Sequence, residues 1–127
     1  MSVKVDERLL EDIERQHEDL FAQFKNLEIL ATSGEEQERS LAALETLLKS
    51  VADHFECEQR LMVNVRYPHA SGHQWQHETL LDDMRGLVAA ARLVPHVSPE
   101  ALQAIREVIH NHTEEADADL FNYMRSL

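Results

Sequence analysis

The sequence predicts an all-α protein, an antiparallel up-down-up-down four-helix bundle formed as one domain over residues 1–127. Three observations predict it. The chain holds only three glycines and three prolines, too few for a turn-rich β fold and few enough to leave long helices unbroken. Apolar residues make up 43% and charged residues 28%, the mix of a chain that buries one core. Apolar positions also recur in steps of three and four along four separate stretches, the spacing of helix faces packed into a bundle.

The first stripe is Leu10, Ile13, His17, Leu20, Phe24 and Leu27, and Thr32-Ser33-Gly34 ends it. Glu35 and Glu36 give the second helix an acidic first turn; its stripe reads Leu44, Leu47, Val51, His54, Glu58, Leu61 and Val65. Arg66-Tyr67-Pro68 breaks that helix, because proline disfavours helical geometry in the residue before it. The third face carries His73, His77, Leu80, Met84, Leu87 and Ala91, and Pro95 interrupts it. Ser98-Pro99-Glu100 then supplies an N-cap, a proline at the first helical position and an early acid. The fourth helix is expected to bury Ala101, Ile105, Val108, Ile109, His112, Ala116 and Leu120.

The net charge of -12 repels phosphates and anionic lipid, which argues against nucleic-acid or polybasic membrane binding. No apolar run reaches the roughly 20 residues of a membrane span, and the N-terminus MSVKVDERLLEDIERQH lacks a signal-like apolar stretch. Cys57 is the single cysteine, so no internal disulfide framework forms. A cytoplasmic location is the expectation.

Chemistry enters through the stripes. His17, His54, His73, His77 and His112 sit where packing would otherwise want Leu or Ile, and Glu58 joins them. A buried carboxylate without a partner costs several kcal/mol, so it must be paired or bound to metal. A single histidine on an apolar face is ordinarily a hydrogen-bonded core residue. Here every helix contributes, and an antiparallel turn at Pro68 brings His54 level with His73 and His77. One cysteine does not suit a structural zinc site. Five imidazoles and two or more carboxylates exceed what one ion accepts, and nitrogen with bridging carboxylate oxygen suits a pair of irons. A ferritin-like arrangement would instead use Glu14-x-x-His17 and Glu107-x-x-His110. Helical phase disfavours it: His112 lies in the Ile105/Val108/Ile109 stripe, whereas Glu107 and His110 point away.

These residues resemble the hemerythrin family, specifically its single-domain bacterial members. The resemblance rests on His17 in Ile-x-x-Gln-His, His54-Phe55-x-x-Glu58, Tyr67-Pro68 before His73-x-x-x-His77, and His112-x4-Asp117, and it covers nearly the whole chain. It implies an oxo- or hydroxo-bridged di-iron centre in the bundle core. His73, His77 and His112 would bind one iron, His17 and His54 the other, with Glu58 and Asp117 bridging. It also implies reversible O2 binding at the less crowded iron, with both irons oxidised and O2 held as hydroperoxide. Asp117 lies five residues beyond His112, roughly 140° round a regular helix of 3.6 residues per turn, so a local π-bulge is expected between them.

By the same resemblance, Leu20, Phe55, Val108, Ile109 and Thr113 would line the oxygen pocket. Val108 stands where tryptophan is common in the family, and Thr113 where isoleucine is common. That smaller, more polar lining would admit water and hasten autoxidation. Gln59 replaces a common glutamate. Cys57 reads as an inert thiol, His69, His96 and His110 as surface residues, and Trp75 and Tyr123 as packing groups. Asp53 and Asp83 are candidates to hydrogen-bond ligand imidazoles. The expected function is O2 carriage, storage or delivery. The alternatives are sensing O2, NO or redox state through an unknown protein partner, or peroxidase-like or NO-detoxifying catalysis. No acid or base beyond the ligands is visible for catalysis, so the chain is expected not to be an enzyme.

Overall fold

Helix formation starts at Asp6. Its carboxylate accepts the backbone N–H groups of Arg8 and Leu9 at 3.1 and 3.2 Å, amides that a helix start otherwise leaves unpaired. In this computed structural model, which describes residues 4–32, 37–93 and 99–127, α1 is Glu7–Thr32, α2 Gln37–Val65, α3 Ala70–Ala91 and α4 Pro99–His112. A π-helical segment, Thr113–Asp117, and α5, Ala118–Arg125, follow. His112, Asp117 and Ala118 all keep right-handed helical dihedrals, so α4, the π segment and α5 form one continuous fourth rod. No strand occurs among the described residues. The breaks expected at Ser33-Gly34-Glu35-Glu36 and at Pro95, the Ser98 cap, His96 and the side chain of Ala101 lie outside the described residues.

The stop of α2 has a more specific cause than Pro68. Arg66 adopts φ 54°, the left-handed geometry that closes a helix. Tyr67 N–H donates to Met62 O at 2.9 Å and Arg66 N–H to Val63 O at 3.3 Å, the paired bonds of a Schellman cap. Tyr67 and Met62 are buried in one apolar cluster, which adds the hydrophobic contact of that motif. Tyr123, expected only to pack, also donates its hydroxyl to Val65 O and Arg66 O at 3.1 and 3.2 Å. The end of α2 and the end of the chain are thereby tied together.

Cross-helix contacts fix the antiparallel order. Along α1 and α2, Asp6 meets Asn64 and Gln23 meets Ser50. Glu58 meets His73 and Glu45 meets Arg92 across α2 and α3. His112 bonds Gln76 while Ile105 faces Met84 across α3 and α4. Glu28 pairs with Arg106 at 2.7 Å between α1 and α4, closing the ring of four.

Burial follows the stripes with local shifts. Every stripe residue of α2 is buried, and α1 buries Ile13, Leu20, Phe24 and Leu27. On α3 the buried line ends His73, His77, Leu80, Met84, Val88, Ala91; Val88 takes the inward place expected of Leu87, which packs at the edge. On the fourth rod Leu102 is buried and Ile105, Ile109 and Ala116 only partly so. Val108 is 45% exposed, a correction to its expected burial. The core divides into two apolar clusters, one around Leu20, Leu47, Phe55 and Met84 and the other around Ile13, Leu61, Leu120 and Met124.

Candidate metal centre

Between those apolar ends lies a layer of buried polar side chains. Helical steps of four on α2 and α3 aim His54 with Glu58, and His73 with His77, inward from one face each. His17 reaches in from α1 and His112 from α4. Asp117 joins because the five-residue π segment brings it back over His112; it is 1% exposed. The bulge expected between these two residues is present.

Two sets of potential ligand atoms result. Glu58, His73, His77, His112 and Asp117 form one, and His17, His54, Glu58 and Asp117 the other; within each set the atoms lie within 4.8 Å of one another. Both carboxylates belong to both sets, one oxygen apiece. Glu58 Oε1 faces His73 and His77 at 3.2 and 3.4 Å, and Oε2 faces His54 at 2.8 Å. Asp117 Oδ1 lies 3.0 Å from His73 and 3.2 Å from His112, while Oδ2 turns to His17 at 3.8 Å.

A cation fits this arrangement on its own geometry. Buried His17 Nε2, Glu58 Oε2 and Asp117 Oδ1 have no hydrogen-bond partner, although imidazole nitrogens lie close by. The Nε2 atoms of His77 and His112 converge to 3.0 Å. Unpaired buried groups at such range are costly, and a positive ion among them removes the cost. Burial alone would raise the Glu58 carboxyl, but His54, His73 and His77 beside it hold it well below the ordinary carboxylate range. Burial lowers His17 and His77. His73 is likewise pushed down by burial, yet Asp117 and Glu58 together carry it up to about 9. Protons and metal therefore compete for the same lone pairs.

The chain matches the hemerythrin HHE cation binding domain over residues 8–124. It belongs to the hemerythrin family. No curated protein and no solved structure matches it at a significant level.

The five imidazoles of the two sets differ in exposure. The His17 side chain is 25% exposed, against 2–4% for the other four imidazoles. A cavity of about 170 Å³ reaches His17 between α1 and α4, walled by Leu20, Phe24, Ile109 and Thr113, with Arg106 and His110 among its lining residues. Of the five residues expected to line an oxygen pocket, Leu20, Ile109 and Thr113 line this cavity. Phe55 does not line that cavity; it stacks on His77 with centroids 3.8 Å apart.

Val108 is the clear correction. It faces the groove between α3 and α4 with Leu80, Met84 and Ile105, because its helical phase places it one residue outside the Leu102–Ile105–Ile109–His112 line. Thr113 spends its hydroxyl on Ile109 O at 3.0 Å. Val108 is absent from the lining of the cavity at His17, whereas Thr113 is part of it. His110, at the surface as expected, pairs with Glu114 at 3.1 Å, and Glu107 is exposed, so the ferritin-like pair stands outside the cluster. Asp53 and Asp83 are exposed and are not the partners of the ligand imidazoles. Those partners are Gln16, which accepts from His54 Nδ1–H at 3.0 Å, and Gln76, which accepts from His112 Nδ1–H at 3.0 Å. Both sit beside the stripes rather than in them; the usable sign was a polar residue next to a candidate ligand, level with an imidazole on the neighbouring helix. Among the described residues, no helix is long and apolar enough to cross a membrane.

Proposed function

We propose that this hemerythrin holds two iron ions and binds O2 reversibly on its His17–His54 side, for carriage, storage or delivery. The observation that carries the reading is the asymmetry of two ligand sets sharing Glu58 and Asp117. Three imidazoles crowd one set and two serve the other, and His17 of the latter is the most exposed of the five and opens on an apolar-walled cavity. Imidazole nitrogen with shared carboxylate oxygen suits iron. A di-iron pair held there would supply two electrons to O2 and recover them on its release.

The chain's own residues support binding without turnover. Leu20, Phe24 and Ile109 keep the approach to His17 apolar, which admits a small neutral gas and disfavours water. Phe55 covers the His77 ring on the crowded side. Arg106 and His110, the basic side chains in the cavity lining, are paired with Glu28 and Glu114, so neither is presented as a free proton donor. Sensing through a partner uses the same site and differs only in the event that O2 binding triggers.

The test is direct. Metal-free protein loaded with ferrous iron should take up two ions per chain. Admitting air should then produce a visible charge-transfer band that disappears under argon and returns on re-exposure. One ion per chain would overturn the dinuclear reading. Immediate conversion to an oxidised form, with no reversible band, would overturn carriage in favour of sensing or catalysis.

A further inference from the structure

We infer that Gln16 and Gln76 are positioning residues of this centre: each accepts a hydrogen bond from the Nδ1–H of one imidazole, His54 or His112, leaving its Nε2 lone pair aimed at the carboxylates. The Cys57 thiol, we further infer, sets which end of the Gln16 amide faces His54. The inference rests on the metal reading above but not on O2 chemistry.

An amide oxygen can only accept, so a ring nitrogen 3.0 Å from Gln16 Oε1 or Gln76 Oε1 must carry the proton. In the neutral imidazole, the form a metal requires, that is the ring's single N–H, and Nε2 of both rings is then a bare lone pair. The surroundings of those lone pairs agree. His54 Nε2 lies 2.8 Å from Glu58 Oε2, and that oxygen has no hydrogen-bond partner. His112 Nε2 lies 3.2 Å from Asp117 Oδ1, which is equally unpartnered. Lone pairs facing anionic oxygens repel unless a cation stands between them.

The reverse arrangement shows what the glutamines prevent. If Gln16 turned its NH2 group to His54, the ring proton would move to Nε2 and bond Glu58. It would then occupy the lone pair a metal needs. Gln16 Nε2–H instead donates to Cys57 Sγ at 3.3 Å, which holds Oε1 toward the ring. The two glutamines divide the work: His54 belongs to the four-residue set, His112 to the five-residue set. Both glutamines are uncharged, so neither adds a charge beside its ring. A carboxylate in either place would draw the proton further and make the ring a more basic ligand.

The test uses the full metal-free chain, Zn(II) titrated against a competing chelator, and nitrogen-15 spectra of the Zn(II)-loaded protein. Gln16→Leu and Gln76→Leu should each weaken Zn(II) binding by roughly 10–100-fold, the usual effect of losing such a partner. Gln16→Leu should lose only the slowly exchanging His54 Nδ1–H signal, and Gln76→Leu only that of His112. Gln16→Glu should restore affinity to within a few-fold and move the His54 signal downfield. Cys57→Ala should speed exchange at His54 and leave His112 unchanged. Parent-like Zn(II) affinity in both leucine variants, at unchanged helix content, would overturn the assignment. Should the leucine variants not fold, an unmoved His54 signal in Gln16→Glu overturns it. Failure of the parent chain to bind Zn(II) removes the metal reading and this one together. A missing O2 band with Zn(II) affinities in the expected order removes only the oxygen reading.

Discussion

At the scale of single residues, the centre is a contest between protons and a cation for the same nitrogen atoms. His73 stands at its middle, 3.0 Å from Asp117 and 3.2 Å from Glu58. Burial works against its charge, the two carboxylates outweigh burial, and the ring titrates at about 9 instead of near 6.5. In the metal-free chain this raised value makes protonated His73 stabilising. The contribution is fully present below pH 6.5 and is lost as pH rises toward 9. Its size is on the order of 3 kcal/mol. His17 and His77 are lowered, so they act in the opposite direction, costing stability as pH falls below 6.5. Urea unfolding of the metal-free protein should therefore show stability declining from pH 6.5 to 9, and His73→Asn should flatten that slope. A parent curve level across this window would refute the balance argued for His73.

At the scale of elements, the π segment decides whether Asp117 belongs to the centre. Regular helix would carry a residue five positions on roughly 140° away from His112, whereas the wider turn of Thr113–Asp117 returns it to the buried face. The extra residue also keeps Leu120 and Met124, both buried, in line with Leu102 and His112. Deleting exposed Glu115 should convert the bulge to ordinary helix, with the aspartate now four residues after His112 and the inward line preserved. Helix content and the thermal midpoint of the metal-free protein should be kept or raised, while Zn(II) affinity falls as the carboxylate changes its approach. Collapse of the bundle would show that the π turn is needed for folding rather than for the site. The same segment marks how far the sequence could be read. The period of three and four exposes the inward face of α2 in full, since one helix packed on two neighbours has little freedom of phase. It misplaces Leu87 relative to Val88 on α3 and Val108 on α4, where a partly buried edge tolerates either neighbour. Arg66 as a left-handed cap leaves no periodic trace because it is a single backbone conformation at a helix end, and Gln16 and Gln76 as acceptors leave none because each depends on an imidazole from another helix.

Across the whole molecule, the polar layer divides the core into two apolar clusters and draws on all four rods. An ion bound there would hold α1 through His17, α2 through His54 and Glu58, α3 through His73 and His77, and the fourth rod through His112 and Asp117. Without it, unpaired nitrogen and oxygen atoms lie where the bundle most needs packing. The net charge of -12 adds self-repulsion that a bound cation relieves in part. Removing metal should therefore weaken the centre of every helix rather than one end of the bundle. For a ligand at a hundred times its dissociation constant, linkage predicts a loss of about 2.7 kcal/mol, seen as a lower thermal midpoint after chelation. Amide exchange should accelerate most around His54, His77 and His112, and least around Leu44, Leu47 and Leu27 in the larger apolar cluster. Exchange rising first in that cluster, with the ligand layer still protected, would mean that the packed apolar ends and not the ligands hold the four rods together.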